Sequence, residues 1–219
     1  MNIARLTPPG TSASHRVKTG FRQIAASARE TPSAWEGKLG KQVGYGQPME
    51  GIAQTAYVVE DLQASIRRFI ADTGAGPFFV LDHFLVPGQT YRGEESKADI
   101  TIAMGFAGHM LIELIQPLDD HPSVYQKTIK LRGYGFHHFG IACRDVDASS
   151  REYQARGYKE AFRAIVPTGG EVVYLDKGDA AQWGFIELLP VTPGMDETFT
   201  RFWKASLDWD GSNPVRSFL

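Results

Sequence analysis

Cysteine is almost missing from this chain: Cys143 stands alone in 219 residues. An internal disulfide is thereby excluded, and the chain suits a reducing compartment. Long apolar runs are missing too. None approaches the roughly 18 residues needed to span a bilayer, and no signal-peptide-like apolar stretch follows Met1. Nor is there an excess of charge of one sign. With a formal net charge of -2, the overall balance gives no electrostatic case for a nucleic acid or a membrane as partner. The expectation is a cytoplasmic protein whose partner is a small molecule. What is present is an ordinary apolar content of 42%, enough for a globular core. The length fits one large domain or two small modules packed together.

Charge is unevenly placed. Residues 1–48 hold seven Lys/Arg against Glu30 and Glu36, which leaves 16 Lys/Arg against 23 Asp/Glu in the remainder. The segment is also rich in Ser, Thr, Pro and Gly, and reads as a basic N-terminal arm outside the rest. Within it Val17, Phe21, Ile24 and Ala28 recur at helical spacing, with Ser14 as a candidate cap. Pro8-Pro9-Gly10 argues against a continuous amphipathic helix of the organelle-transit kind.

Beyond the arm, one pattern occurs twice. Residues 52–59 are apolar and β-branched, a buried strand. Asp61 then caps a helix with Leu62, Ile66, Phe69 and Ile70 on one face, and Gly74 ends it. A strand over 78–86 is stopped by Pro87-Gly88, and a hairpin follows over 99–115 around Gly105-Phe106-Ala107-Gly108. The second copy has a strand over 138–143 and a helix capped by Asp145 or Asp147 and ending at Gly157. A strand over 161–166, stopped by Pro167, and strands over 171–175 and 183–189 complete it. Repetition of the same motifs in the same order points to duplication. The predicted segments are the arm (1–48), a first module with a linking helix over 122–131 that begins near Asp120 or His121 (49–131), a second module (132–192), and a C-terminal helix over 195–207 with a tail (193–219).

Each copy carries a polar residue at the start of its first strand, Gln54 and His138, and a glutamate in an apolar strand, Glu113 and Glu187. Strand alternation puts Gln54 on one face with Ala56 and Val58, and His138 with Gly140 and Ala142. Those small neighbours leave room beside the polar group, and alternation sends His137 to the opposite face. A carboxylate among aliphatics is costly unless it is paired or meets a cation, and neither glutamate segment holds a Lys or Arg. One imidazole, two carboxylates and an amide oxygen suit one divalent ion, Zn²⁺, Ni²⁺, Co²⁺, Mn²⁺ or Fe²⁺.

The repeated strand motif, the Gly135-Phe136-His137-His138-Phe139-Gly140-Ile141 start and the two Ile-Glu-Leu strands resemble the vicinal-oxygen-chelate superfamily, which includes glyoxalase I, methylmalonyl-CoA epimerase, extradiol dioxygenases and bleomycin-resistance proteins. The likeness spans roughly 50–190. The stretch from Gln116-Pro117-Leu118-Asp119-Asp120 to the paired histidines is most similar to the epimerase branch, whereas the ligand set matches glyoxalase I. The resemblance implies an α+β fold of two tandem βαβββ modules whose sheet curves around a metal-binding cleft. It also implies metal ligands Gln54, Glu113, His138 and Glu187, with Glu187 as the catalytic base and Glu113 as the second acid.

The activity this implies is that of a metal-dependent isomerase, epimerase or lyase that removes a proton beside a metal-chelated carbonyl of a small organic substrate. Asp99 is a further acid near a first-module strand. A ring-cleaving dioxygenase is disfavoured, because Gln54 stands where that chemistry needs a second histidine. A non-enzymatic binder of the same fold would use the cleft alone, with Phe78, Phe79, Tyr91, Phe136, Tyr174 and Trp183 as candidate lining. Arg67, Arg68, Arg92, Arg132, Arg151, Arg156 and Arg163 are available to anchor an anionic adduct of the glutathione or CoA-thioester type. Dimerisation through the arm or the final helix is left open.

Overall fold

The computed structural model describes residues 42–178 and 183–219. The expectations for 1–41, including the helix through Val17 and Phe21, lie outside the described residues. In chain order the elements are β1 (Ile52–Val58), α1 (Leu62–Thr73), β2 (Phe78–Leu81), β3 (Thr90–Tyr91), β4 (Glu94–Glu95), β5 (Ile100–Ala107) and β6 (Met110–Pro117). They continue with α2 (Val124–Arg132), β7 (Gly135–Cys143), α3 (Val146–Ala155), β8 (Lys159–Ile165), β9 (Glu171–Asp176), β10 (Phe185–Pro190), α4 (Pro193–Ser206) and β11 (Val215–Ser217). The fold is α+β: one open, curved 11-stranded sheet in the order β11-β2-β5-β6-β1-β7-β10-β9-β8-β3-β4.

Two βαβββ units meet in that sheet. In each, the first strand lies parallel to the last, β1 beside β6 and β7 beside β10, and the units join through the antiparallel pair β1–β7. The helices begin in the same way. Asp61 Oδ1 accepts the Ala64 N–H at 2.8 Å, and Asp145 Oδ1 accepts the Ala148 N–H at 2.8 Å, each satisfying a donor that the first turn leaves free. At the other end α1 stops at Gly74, whose φ of 70° is the left-handed region that a side chain disfavours. On the convex face of the sheet α1 buries Leu62 and Ile66 against Phe78, Ala103, Ile112 and Leu114, each buried side chain worth about 2 kcal/mol. Under α3 the same face holds Cys143, Val173, Leu175 and Leu188. Alternation then turns Leu111, Glu113 and Ile115 of β6 and Phe185, Glu187 and Leu189 of β10 to the concave side.

Several boundaries differ from the sequence reading. The strand predicted over 78–86 ends at Leu81, before His83 takes a positive φ of 52°. The hairpin turn is at Gly108-His109, so Gly105 and Phe106 remain in β5. Helix α2 begins at Val124 and is capped by Ser123, whose Oγ accepts the Gln126 N–H at 3.1 Å; Asp120 and His121 precede it. Trp183 stands outside β10 and is 86% exposed. Val43, Tyr45 and Met49 are buried, and the Tyr45 ring packs edge-on against Phe106 and Phe199 of α4.

The extra length of the first unit lies between β2 and β5, where β3 and β4 form. This hairpin crosses to the far edge of the sheet and pairs with β8, Tyr91 opposite Phe162. Arg92 and Lys127 both ion-pair with buried Asp176, the lysine at 2.6 Å, which ties the hairpin and α2 to β9. Residues of the first unit thus strap onto the second. At the opposite edge α4 lies against β5, with Phe202 stacked on Phe79 at 3.8 Å between ring centres.

Candidate metal centre

Backbone register decides which side chains can meet. In the first unit Glu113 pairs with Ala56, two residues beyond Gln54; in the second Glu187 pairs with Gly140, two residues beyond His138. The two halves are thus in equivalent register. Across the seam Gln54 lies opposite Gly140, and Ala56 opposite His138. All four polar residues therefore rise from one patch of the concave face, and the sheet's curvature brings their tips together.

Gln54 Nε2 lies 2.8 Å from Glu113 Oε2, 3.1 Å from His138 Nε2 and 3.1 Å from Glu187 Oε2. His138 Nε2 is 3.3 Å from Glu113 Oε2 and 2.9 Å from Glu187 Oε2. Gln54 and His138 are fully buried, and the glutamates nearly so. Gly140 is what permits this approach: a Cβ there would stand 2.7 Å from Leu189 Cδ1 and 2.9 Å from Gln54 Cβ.

The electrostatics follow from burying two carboxylates beside one imidazole. Burial raises the Glu113 carboxyl above its ordinary value; the His138 hydrogen bond opposes this and the Glu187 charge adds to it. Burial alone would push His138 down, but Glu187 and Glu113 hold its proton and raise it to about 9.

The residues fit a divalent cation on three grounds. Ligand atoms of Glu113, His138 and Glu187 all lie within 4.8 Å of one another. The donor set is one nitrogen with carboxylate and amide oxygens, at home on Zn²⁺ and its neighbours in the first transition row. Finally, Gln54 Oε1 is buried with no hydrogen-bond partner, while Nε2 faces two carboxylate oxygens and the His138 ring. An amide that turns about its last bond exchanges these two atoms, so the residue can present either atom to the group.

His137 does not point away as strict alternation predicts. Tyr57 pairs with Phe136 while Ala56 pairs with His138, so His137 is the extra residue of a β-bulge. Its ring stacks on Tyr125 and touches Phe185, and its Nδ1 lies 2.8 Å from Nδ1 of His138. Burial and the neighbouring His138 charge lower His137, keeping it neutral and able to accept that hydrogen bond. The bond fixes the ring that presents Nε2 to the carboxylates.

Glu113 and Glu187 open onto a cleft of about 580 Å³, open solvent at its mouth included. Tyr125 and Tyr174 are its other large polar residues. The Tyr174 phenol is pushed well up, first by burial and then by the charge of Glu187, its neighbour across β9 and β10. Of the candidate aromatics, only Tyr174 lines this cleft. Phe78 packs beneath α1, Phe136 faces Tyr57 and Phe139, Phe79 is covered by Phe202, and Trp183 is exposed. Asp99 is turned away as well, since Ile100, Ile102 and Met104 are the β5 residues that face the cleft; it pairs with His83 at 2.7 Å. Tyr125 had no sequence signal beyond its place in the linking helix.

The sequence matches the Glyoxalase/Bleomycin resistance protein/Dioxygenase superfamily over residues 53–174, more than half of the chain. The protein belongs to this superfamily. Comparison with curated proteins gives no match. Among solved structures it is similar to methylmalonyl-CoA epimerase from Mycobacterium tuberculosis, at 20% identity and a TM-score of 0.50, over 67% of this chain and 91% of that one. A hypothetical protein from Bacillus halodurans follows at 19% identity and a TM-score of 0.49, over 65% and 94%. A Streptomyces coelicolor methylmalonyl-CoA epimerase variant in complex with 2-nitronate-propionyl-CoA gives 18% and 0.46, over 64% and 96%. At 20% identity the likeness to the first of these bears on the fold alone. No helix of the described residues is long and apolar enough to cross a membrane.

Proposed function

We propose that this superfamily member is a divalent-metal-dependent enzyme that shifts a proton beside a carbonyl, in the manner of an isomerase, epimerase or lyase. The observation that carries the reading is the meeting of Gln54, Glu113, His138 and Glu187, two residues from each unit, with the Gln54 amide oxygen left unpartnered among them. These four would hold the ion. When bound, a divalent ion supplies Lewis acidity: it polarises a carbonyl oxygen and makes the neighbouring C–H more acidic.

The chain's own groups would handle the proton. Glu187 is the base, and Tyr174 stands beside it across β9 and β10. Glu113, on the other unit's side of the cleft, is the second acid–base group. Gln54 and His138 do not line the cleft, so the two carboxylates are the part of the site a substrate meets. The apolar walls exclude water from the reacting carbon.

A second reading, a binder that sequesters small molecules, draws on the largely apolar cleft. Metal content separates the two. Plasma mass spectrometry on tag-free protein purified without chelators is expected to find about one divalent ion per chain, lost in a Gln54/Glu113/His138/Glu187 quadruple-alanine variant. A native chain that carries no metal and takes up none of Zn²⁺, Ni²⁺, Co²⁺ or Mn²⁺ would overturn the enzyme reading and favour the binder.

A further inference from the structure

The cleft differs from its floor. At the floor stand two carboxylates; the walls are Leu81, Phe84, Ile102, Phe162, Val172 and Phe199 with further apolar side chains, and among the described residues lining it there is no Lys, Arg or His. The cations that the sequence offers as anchors are engaged or turned away. Arg92 pairs with Asp176, Arg68 with Asp72, and Arg163 with Asp147, Glu160 and Glu171. Arg132 donates to the Trp183 carbonyl, Arg156 lies over the Tyr153 ring, and Arg67 and Arg151 are exposed on helices α1 and α3. A carboxylate or phosphate placed among these walls would be desolvated with nothing to pair it.

The floor imposes the same sign. Glu113 and Glu187 bring two negative charges to an ion with two positive ones, so the loaded site has no surplus charge to attract an anionic group. We infer, on the strength of the metal reading above, that this cleft takes a substrate whose two vicinal oxygens reach the floor and whose remaining body is uncharged and apolar. The class is that of hydrophobic 2-hydroxy- or 2-oxo-carbonyl compounds. A methylmalonyl group, which carries a carboxylate of its own, is a poor occupant of such walls.

A matched pair of chelators tests this. Hexanohydroxamic acid and adipic monohydroxamic acid bind metals through the same two oxygens and differ at the far end, a methyl against a carboxylate. Titration calorimetry with the full chain loaded with Ni²⁺ is expected to show the methyl-ended compound binding at least about tenfold more tightly. Leu81→Arg, at the end of β2 where the side chain is only partly buried, should keep the metal and narrow or reverse that preference. In parallel, the chelator-treated chain is titrated with Nile red, an uncharged dye that reads the cleft without a metal. Saturable dye binding that weakens in Leu81→Arg supports an apolar occupant. If Ni²⁺ is taken up and the two hydroxamates bind equally, or the carboxylate-ended one more tightly, the inference is overturned while the metal reading stands. If no Ni²⁺ is taken up but the dye still binds and responds to Leu81→Arg, the metal reading falls and the apolar occupant stands. Failure of both metal uptake and dye binding overturns both.

Discussion

The two units share a register and differ in what they place on it. Gln54 and His138 occupy equivalent positions, as do Glu113 and Glu187 and, beside the glutamates, Met104 and Tyr174. The first unit thus gives the site an amide, a carboxylate and a thioether neighbour; the second gives an imidazole, a carboxylate and a phenol. Repetition supplies the geometry, and the chemistry comes from the positions where the copies diverge. On the proposed function, the second unit, with the imidazole and a tyrosine beside its glutamate, would take the larger share of the proton transfer. The first unit contributes the strap of β3 and β4.

That assignment can be broken most directly at the glutamates. Glu187→Gln should lower turnover by at least about a hundredfold with thermal unfolding little changed, and Glu113→Gln should cost less; steady-state rates on a substrate found under the metal-loaded protein read the difference. Equal losses would mean that the units share the proton work evenly. A smaller effect is expected at the position two residues beyond each first-strand ligand. The first unit has Ala56 there and the second Gly140, where a Cβ would press on Leu189 and Gln54. Gly140→Ala should therefore destabilise by about 1–3 kcal/mol in urea unfolding and weaken metal uptake, although the sister unit carries alanine at the equivalent place. A variant as stable as the parent would show that the walls yield. The smallest effects should be the most alike: Asp61→Ala and Asp145→Ala each remove one N-cap bond of the same length, and each should cost about 1 kcal/mol. Unequal costs in the same unfolding experiment would show that one helix depends on its cap more than the other.

Much of this was legible in the chain because the signals are local. Asp61 and Asp145 announce helices within four residues, and the apolar strands with one glutamate each stand out against their neighbours. Repetition then turned four separate polar residues into one candidate site. The parts that were not legible depend on distant partners. Nothing near Thr90-Tyr91 says that it will pair with residues of β8 more than 70 positions later. The bulge at His137 is invisible to a rule of strict alternation, since it arises from how β7 accommodates β1 across the seam. Tyr125 enters the cleft because of where α2 docks, which its own weakly patterned sequence does not specify. The same limit misplaced Phe78 and Phe136: their residue types suited a cleft, but each lies on a strand whose pleat turns it elsewhere.

The antiparallel seam of β1 and β7 has a consequence for how such a site can change over generations. If two identical single-module chains met across that seam, every substitution would enter the site twice, and an altered ligand would have to work in both halves at once. With the copies fused in one chain, a substitution enters once. Gln54 could part from the histidine at the equivalent position, and Tyr174 from Met104, without a matching change opposite. Covalent linkage thereby releases the floor of the cleft from symmetry while the backbone register keeps it.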